Sequence, residues 1–168
     1  IIKRKMSLKI YSIPNFEKHR VKFLELIYKI PETRYKDISH TDWEIPRSMR
    51  REYVEYFNEN IYQGYRDNLC KENQFKDFEI SNMWFQVYKE GDKHEAHTHP
   101  HAHFTNVFYI NLPDKKLTTE IRKINHDCKE GDIITFPAYY EHGSPINTNK
   151  QPKVIISFNI NIFSYANL

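Results

Sequence analysis

Glycine, cysteine and long apolar stretches are all scarce in this sequence. Its 168 residues include two cysteines, Cys70 and Cys128, which cannot form a disulfide framework and suit a reducing, intracellular setting. Apolar runs extend over only a few residues, which excludes a membrane-crossing helix. The opening Ile1-Ile2-Lys3-Arg4-Lys5 is too short and too charged for a signal peptide. No block of one charge sign stands out either. The net +3 arises from basic and acidic residues interleaved along the chain, a solvated mixed surface rather than the basic stripe that a nucleic-acid partner requires. Several catalytic signatures are missing. There is no GxSxG, no P-loop and no CxxC, and His94-Glu95-Ala96-His97 falls one residue short of HExxH.

What the sequence does have is rings: 12 Tyr and 11 Phe, enough to build a core or pocket from aromatic side chains. The length fits one domain over residues 1–168, with a helical N-terminal flank over 1–77 and a β core over 78–168. Asn15 is placed to cap a helix in which Phe16, Phe23, Ile27 and Ile30 share a stripe, ending before Pro31. Tyr53, Phe57, Ile61 and Tyr65 repeat every four residues and predict a second amphipathic helix from Ser48 to Leu69. The exposed faces of these two helices offer a surface for pairing subunits.

From Phe78 the period changes to two. Met83, Phe85 and Val87 fall on one face of a strand, and Trp84, Gln86 and Tyr88 on the other. Further strands are expected at 97–99, 105–112, 117–122, 132–136, 153–158 and 159–163. Turn signals separate them, among them Glu90-Gly91-Asp92, Glu130-Gly131-Asp132 and the stretch from Gly143 to Gln151. Many short strands at this spacing indicate a sandwich or barrel, with no internal repeat.

Five of the nine histidines fall within ten residues: His94, His97, His99, His101 and His103. On a strand, His97 and His99 project from one face, so their imidazoles can converge on a single ion. Imidazole suits iron, zinc, copper and nickel alike. Gly91 precedes this pair by a fixed interval, and Gly131 precedes Pro137 and then His142. That pairing resembles the two motifs of cupin-type double-stranded β-helices, in which the HxH pair and a distal histidine meet in the barrel mouth. The expected fold is therefore mainly β with N-terminal helices, a jelly-roll barrel flanked by two amphipathic helices.

Five segments sharpen the resemblance: Trp84–Tyr88, His97-Thr98-His99-Pro100, His103-Phe104, Gly131–Pro137 and Ile156-Ser157-Phe158-Asn159. In this order they resemble the 2-oxoglutarate/Fe(II) oxygenases of marine phages and bacteria, distant relatives of prolyl hydroxylases. The resemblance implies Fe(II) on His97, His99 and His142, with His103 a candidate fourth ligand or cosubstrate contact. It implies that Lys153 takes the place of the arginine that holds the distal carboxylate of the 2-oxoglutarate cosubstrate, and Ile155 the place of a serine. Tyr109 and Asn111 are candidate hydrogen-bonding partners of the cosubstrate. A carboxylate usually completes the iron triad; here His99 stands in its place, ahead of Glu95 and then Glu141. His94 and His101 match nothing in the pattern and read as exposed loop residues.

Three function classes follow. One is an Fe(II)- and 2-oxoglutarate-dependent hydroxylase, cytoplasmic in a bacterium or a phage-infected host. The second is a cupin-like dioxygenase with three or four histidines and no 2-oxoglutarate. The third is a non-catalytic barrel, such as a phage particle or virion component, that keeps the metal ligands.

Overall fold

A computed structural model describes residues 8–73 and 75–165. Helix α1 spans Phe16–Tyr28, α2 Glu52–Asn60 and α3 Tyr62–Asn73. The strands are β1 (Lys9–Ser12), β2 (His40–Thr41), β3 (Phe75–Tyr88), β4 (His94–His97), β5 (Phe104–Asn111), β6 (Glu120–Ile121), β7 (Asp132–Pro137), β8 (His142–Ser144) and β9 (Lys153–Tyr165). They form a six-stranded sheet in the order β1-β7-β5-β9-β3-β2 and a three-stranded sheet in the order β4-β8-β6. Every pairing is antiparallel. No helix among the described residues is long and apolar enough to cross a membrane.

The period-two patterns explain how the large sheet serves two cores. Phe85, Val87, Phe108, Ile156 and Phe158 join the helix stripe of Phe23, Ile27, Tyr53, Phe57, Tyr65 and Leu69 in one cluster. The alternate residues, Tyr88, Val107, Tyr109, Ile134 and Ile155, form a second cluster with Leu117, Ile121 and Phe136. One face of the sheet is thus covered by helices and the other closes the barrel, as a double-stranded β-helix requires. Rings dominate the first cluster: Phe23, Phe57, Tyr65, Phe108 and Phe158 meet largely edge to face, the arrangement that ring quadrupoles favour.

Several expected boundaries shift. The flank over 1–77 is not purely helical, because β1 and β2 form the two edges of the large sheet. The second helix breaks at Ile61, whose φ of −116° departs from helical geometry, so the described residues hold three α-helices rather than two. Asn15 precedes α1 in a left-handed conformation (φ 52°) and makes no side-chain cap. The strand expected at 97–99 is instead β4, which ends at His97. The stretch 117–122 is a 3₁₀ turn over Lys115–Leu117 followed by β6. The turn expected from Gly143 begins inside β8, and 153–158 and 159–163 are one continuous strand.

A short duplication does exist. Lys89-Glu90-Gly91-Asp92 and Lys129-Glu130-Gly131-Asp132 are the same tetrapeptide and fold the same way. In each, the aspartate accepts from the lysine N–H, at 2.8 and 3.0 Å, and glycine holds a positive φ of 89° and 85°. The surroundings differ, however. A Cβ on Gly131 would lie 2.7 Å from Phe16 Cγ, whereas one on Gly91 would meet nothing within 4 Å. Gly91→Ala is expected to cost about 1 kcal/mol from backbone strain alone, and Gly131→Ala about 3 kcal/mol, because α1 must also shift. Urea midpoints of the two variants check this; equal losses would contradict it.

Candidate active site

The three-stranded sheet brings three histidines together. His97 on β4 and His142 on β8 are paired residues of adjacent strands. His99 lies just beyond β4, where its N–H donates to Ala138 O at 2.9 Å. The three offer ligand atoms that all lie within 4.8 Å of one another, and no carboxylate joins the group among the described residues. His97 Nδ1–H donates to Glu95 O at 2.9 Å and His142 Nδ1–H to Tyr140 O at 2.8 Å. A carbonyl can only accept, so both rings must turn an unprotonated Nε2 inward. His99 Nε2 and His142 Nε2 approach to 3.2 Å, an arrangement that a shared cation stabilises.

Burial keeps these rings neutral. It is the first cause that pushes His99 down to about 3 and His142 to about 4, with the neighbouring histidines adding to the effect at His99. His97 is lowered for the same reason. Neutral imidazoles present lone pairs at physiological pH, as metal ligation requires. Phe136 and Trp84 wall the cluster, their rings 4.9 Å from His142 and 5.6 Å from His99.

Sequence reasoning missed His94. It is half-buried rather than an exposed loop residue, and its ring stacks on His97 at 4.1 Å. The cause is a shift in register: His94 pairs with Ser144 and His97 with His142, three residues on β4 against two on β8. Such a bulge breaks alternation. It also undoes the shared face expected for Glu95 and His97, and Glu95 lies exposed against Lys93. Glu141 is exposed as well. Burial lowers His94 to about 4.

The other candidates scatter. His103 is exposed, away from the three, and its Nδ1 accepts from Ile162 N–H at 2.8 Å. Tyr109 is fully buried with its hydroxyl accepting from Thr119 N–H at 2.9 Å. Asn111 donates to Pro152 O at 2.6 Å and accepts from Arg20. Scaffold bonds therefore occupy the polar ends of both.

Lys153 is different. It opens β9 on the inward face shared with Ile155 and Ser157, and it is 0% exposed. Its Nζ donates to Ser144 Oγ at 2.7 Å and sits 5.2 Å from the centre of the Tyr88 ring. Burial pulls its pKa down to about 7, with Glu120 only partly offsetting this. Ser144 stands two residues past His142 on β8, so both point to the same side. The space between them is narrow, about 20 Å³, and its lining includes Gln86, Ser144 and Ser157.

Residues 82–128, which carry His97 and His99, match the family model described as "Putative 2OG-Fe(II) oxygenase". This stretch, less than half of the chain, is similar to a segment of 2-oxoglutarate/Fe(II) oxygenases. The fold agrees over nearly the whole chain. A viral collagen prolyl hydroxylase from Paramecium Bursaria Chlorella virus-1, in its 2OG complex, superposes with a TM-score of 0.67 at 16% identity, covering 98% of this chain and 100% of that one. A 2OG-Fe(II) oxygenase family oxidoreductase from Burkholderia pseudomallei gives 0.72 at 10% identity, over 98% and 88%. A prolyl-4-hydroxylase from Pseudomonas putida gives 0.62 at 13%, over 95% of each. No curated protein matches the sequence. His142 and Lys153 lie beyond the matched segment, so geometry alone places them beside His97 and His99.

Proposed function

We propose that the chain is an Fe(II)- and 2-oxoglutarate-dependent oxygenase in which His97, His99 and His142 hold the iron and Lys153 holds the distal carboxylate of 2-oxoglutarate. The observation that carries this reading is the buried ammonium. A lysine fully removed from water, hydrogen-bonded to a hydroxyl and only partly compensated by Glu120, is costly, and a carboxylate arriving in the pocket would offset that cost. Two residues of strand, about 7 Å, separate Ser144 from His142, a span that a five-carbon keto-diacid can bridge. When bound, iron would activate dioxygen with 2-oxoglutarate as the two-electron reductant: one atom of the dioxygen would end in succinate, carbon dioxide would be released, and the other atom would enter a substrate C–H bond.

The chain's own residues set the conditions for this. Carbonyl bonds from Glu95 and Tyr140 orient two ligand rings before metal arrives. Three neutral imidazoles leave the full charge of a divalent ion in place, which favours a dianionic cosubstrate. The pocket is narrow, so the dicarboxylate would replace the Ser144 hydroxyl on Lys153 and press the lining side chains apart.

The all-histidine set also favours a second reading, a dioxygenase that needs no 2-oxoglutarate. Against it stand the inward Lys153 and the absence of His103 from the cluster. Anaerobic titration of metal-free protein with Fe(II) and then 2-oxoglutarate discriminates. A visible charge-transfer band is expected on adding 2-oxoglutarate and is expected to vanish in His142→Ala. Bound iron with no band would support the second reading.

A further inference from the structure

A second cleft, of about 220 Å³, adjoins two of the three histidines, His97 and His99. Its walls include Tyr35, Lys36, Trp43 and Trp84, and His97 and His99 border it. Trp43 and Trp84, the only tryptophans in the chain, meet edge to face at 4.9 Å. Trp43 remains 37% exposed. A large ring left in water beside a reactive centre offers a flat face for another ring.

The cleft offers an anion a cation and no opposing carboxylate. Lys36 is the one charged side chain of the lining, which contains no Asp or Glu. It sits in a tight turn closed by reciprocal bonds between Tyr35 and Ile38, both 3.0 Å, and fastened by Lys93 N–H to Asp37 O at 3.2 Å. Its φ of 49° is left-handed, uncommon for a lysine, so the surrounding bonds hold the turn against an intrinsic preference. The Lys36 ammonium lies over the Tyr35 ring, 5.3 Å from its centre.

His94, also in the lining, is fixed as a donor through a relay. Ser157 O–H donates to Gln86 Oε1 at 2.9 Å, which turns the Gln86 amide N–H toward His94 Nδ1 at 3.2 Å. A neutral imidazole that accepts at Nδ1 carries its proton on Nε2.

We propose that this cleft binds the primary substrate as a planar aromatic ring bearing one carboxylate or phosphate, the ring against Trp43 and the anion on Lys36. That the occupant is the oxygenase's substrate rests on the function proposed above; the binding chemistry does not.

Calorimetric titration of the metal-free full chain near neutral pH tests it with 4-methylbenzoate, 4-methylbenzamide and cyclohexanecarboxylate. The benzoate is expected to bind at least about tenfold more tightly than either control. Lys36→Ala and Trp43→Ala are each expected to weaken it about tenfold, with unchanged circular dichroism, and Lys153→Met to leave it alone. Equal binding of the amide or of the cyclohexane acid would overturn the proposal. So would a loss in Lys153→Met with none in Lys36→Ala, which would place the anion in the cosubstrate pocket. Lys36-dependent binding in a protein that does not take 2-oxoglutarate would sustain this inference while defeating the oxygenase reading.

Discussion

Replacing Lys153 with Met is expected to weaken 2-oxoglutarate binding by roughly 30-fold or more and leave the fold as stable as before, or more so. The ammonium is fully buried and bonded to Ser144. Methionine matches its length and brings no charge, so its gain in the free protein is about 1 kcal/mol or more. The bound state loses a desolvated, charge-assisted contact, an effect of about 2–5 kcal/mol and hence a weakening of roughly 30-fold or more. Urea denaturation and the charge-transfer titration read the two effects separately. A variant that keeps cosubstrate affinity would show that Lys153 is not the anchor.

The same lysine gives the free protein a defined pH dependence. Its folded pKa, about 7, lies below the value of about 10.4 for an unfolded lysine. Between these values the unfolded chain binds more protons than the folded one, so this group's contribution to stability rises with pH across that window. Below pH 7 both states are protonated and the folded state bears the whole burial penalty. A carboxylate beside the ammonium restores its proton, so 2-oxoglutarate binding near pH 8 should be accompanied by proton uptake. Calorimetry in buffers of different ionisation heat measures that uptake, and Lys153→Met should lack this component of it.

The parts of this architecture that repeat along the chain were legible before folding. The helix stripe through Tyr53, Phe57, Ile61 and Tyr65 survives the break at Ile61, because both short helices keep their apolar side on one core. The faces of β3 separate as alternation predicts, Phe85 and Val87 toward the helices and Gln86 and Tyr88 toward the pocket. The β1, β2 and β6 strands, of two to four residues, are too short to show a period, and only pairing defines them. His94 was missed for a related reason. The bulge that turns it onto His97 exists only in the register between β4 and β8. Convergence of His97, His99 and His142 could be expected from spacing together with family resemblance. That His99 reaches the cluster from beyond the strand, and that Tyr109 and Asn111 spend their polar ends on the scaffold, could not.

The largest loss of stability is expected for Asp42→Ala, at about 3–5 kcal/mol. Asp42 is 0% exposed and accepts from the Tyr53 hydroxyl at 2.5 Å and from Phe85 N–H at 2.9 Å. It also ion-pairs with Arg51 Nε at 3.2 Å, where the Arg51 side chain is only 9% exposed. One carboxylate thus ties α2 to the C-terminal part of β3. Alanine would leave the Tyr53 hydroxyl and the Phe85 N–H without their acceptor and the buried Arg51 guanidinium without its carboxylate, held only by the carbonyls of Ile45 and Met83, and each would bear a desolvation cost. Against a typical total of about 5–15 kcal/mol, such a loss approaches unfolding. Asp42→Asn keeps the shape and one acceptor oxygen and should cost less. Adding Arg51→Met to Asp42→Ala should recover part of the loss, because it removes the orphaned cation. Denaturant midpoints of the three variants test this, and a cost below about 1 kcal/mol for Asp42→Ala would refute it. The consequence extends to the cleft. Trp43 follows Asp42 directly, and Thr41 before it bonds Phe85 O at 2.6 Å, so loosening this anchor should free the aromatic wall before the histidines separate.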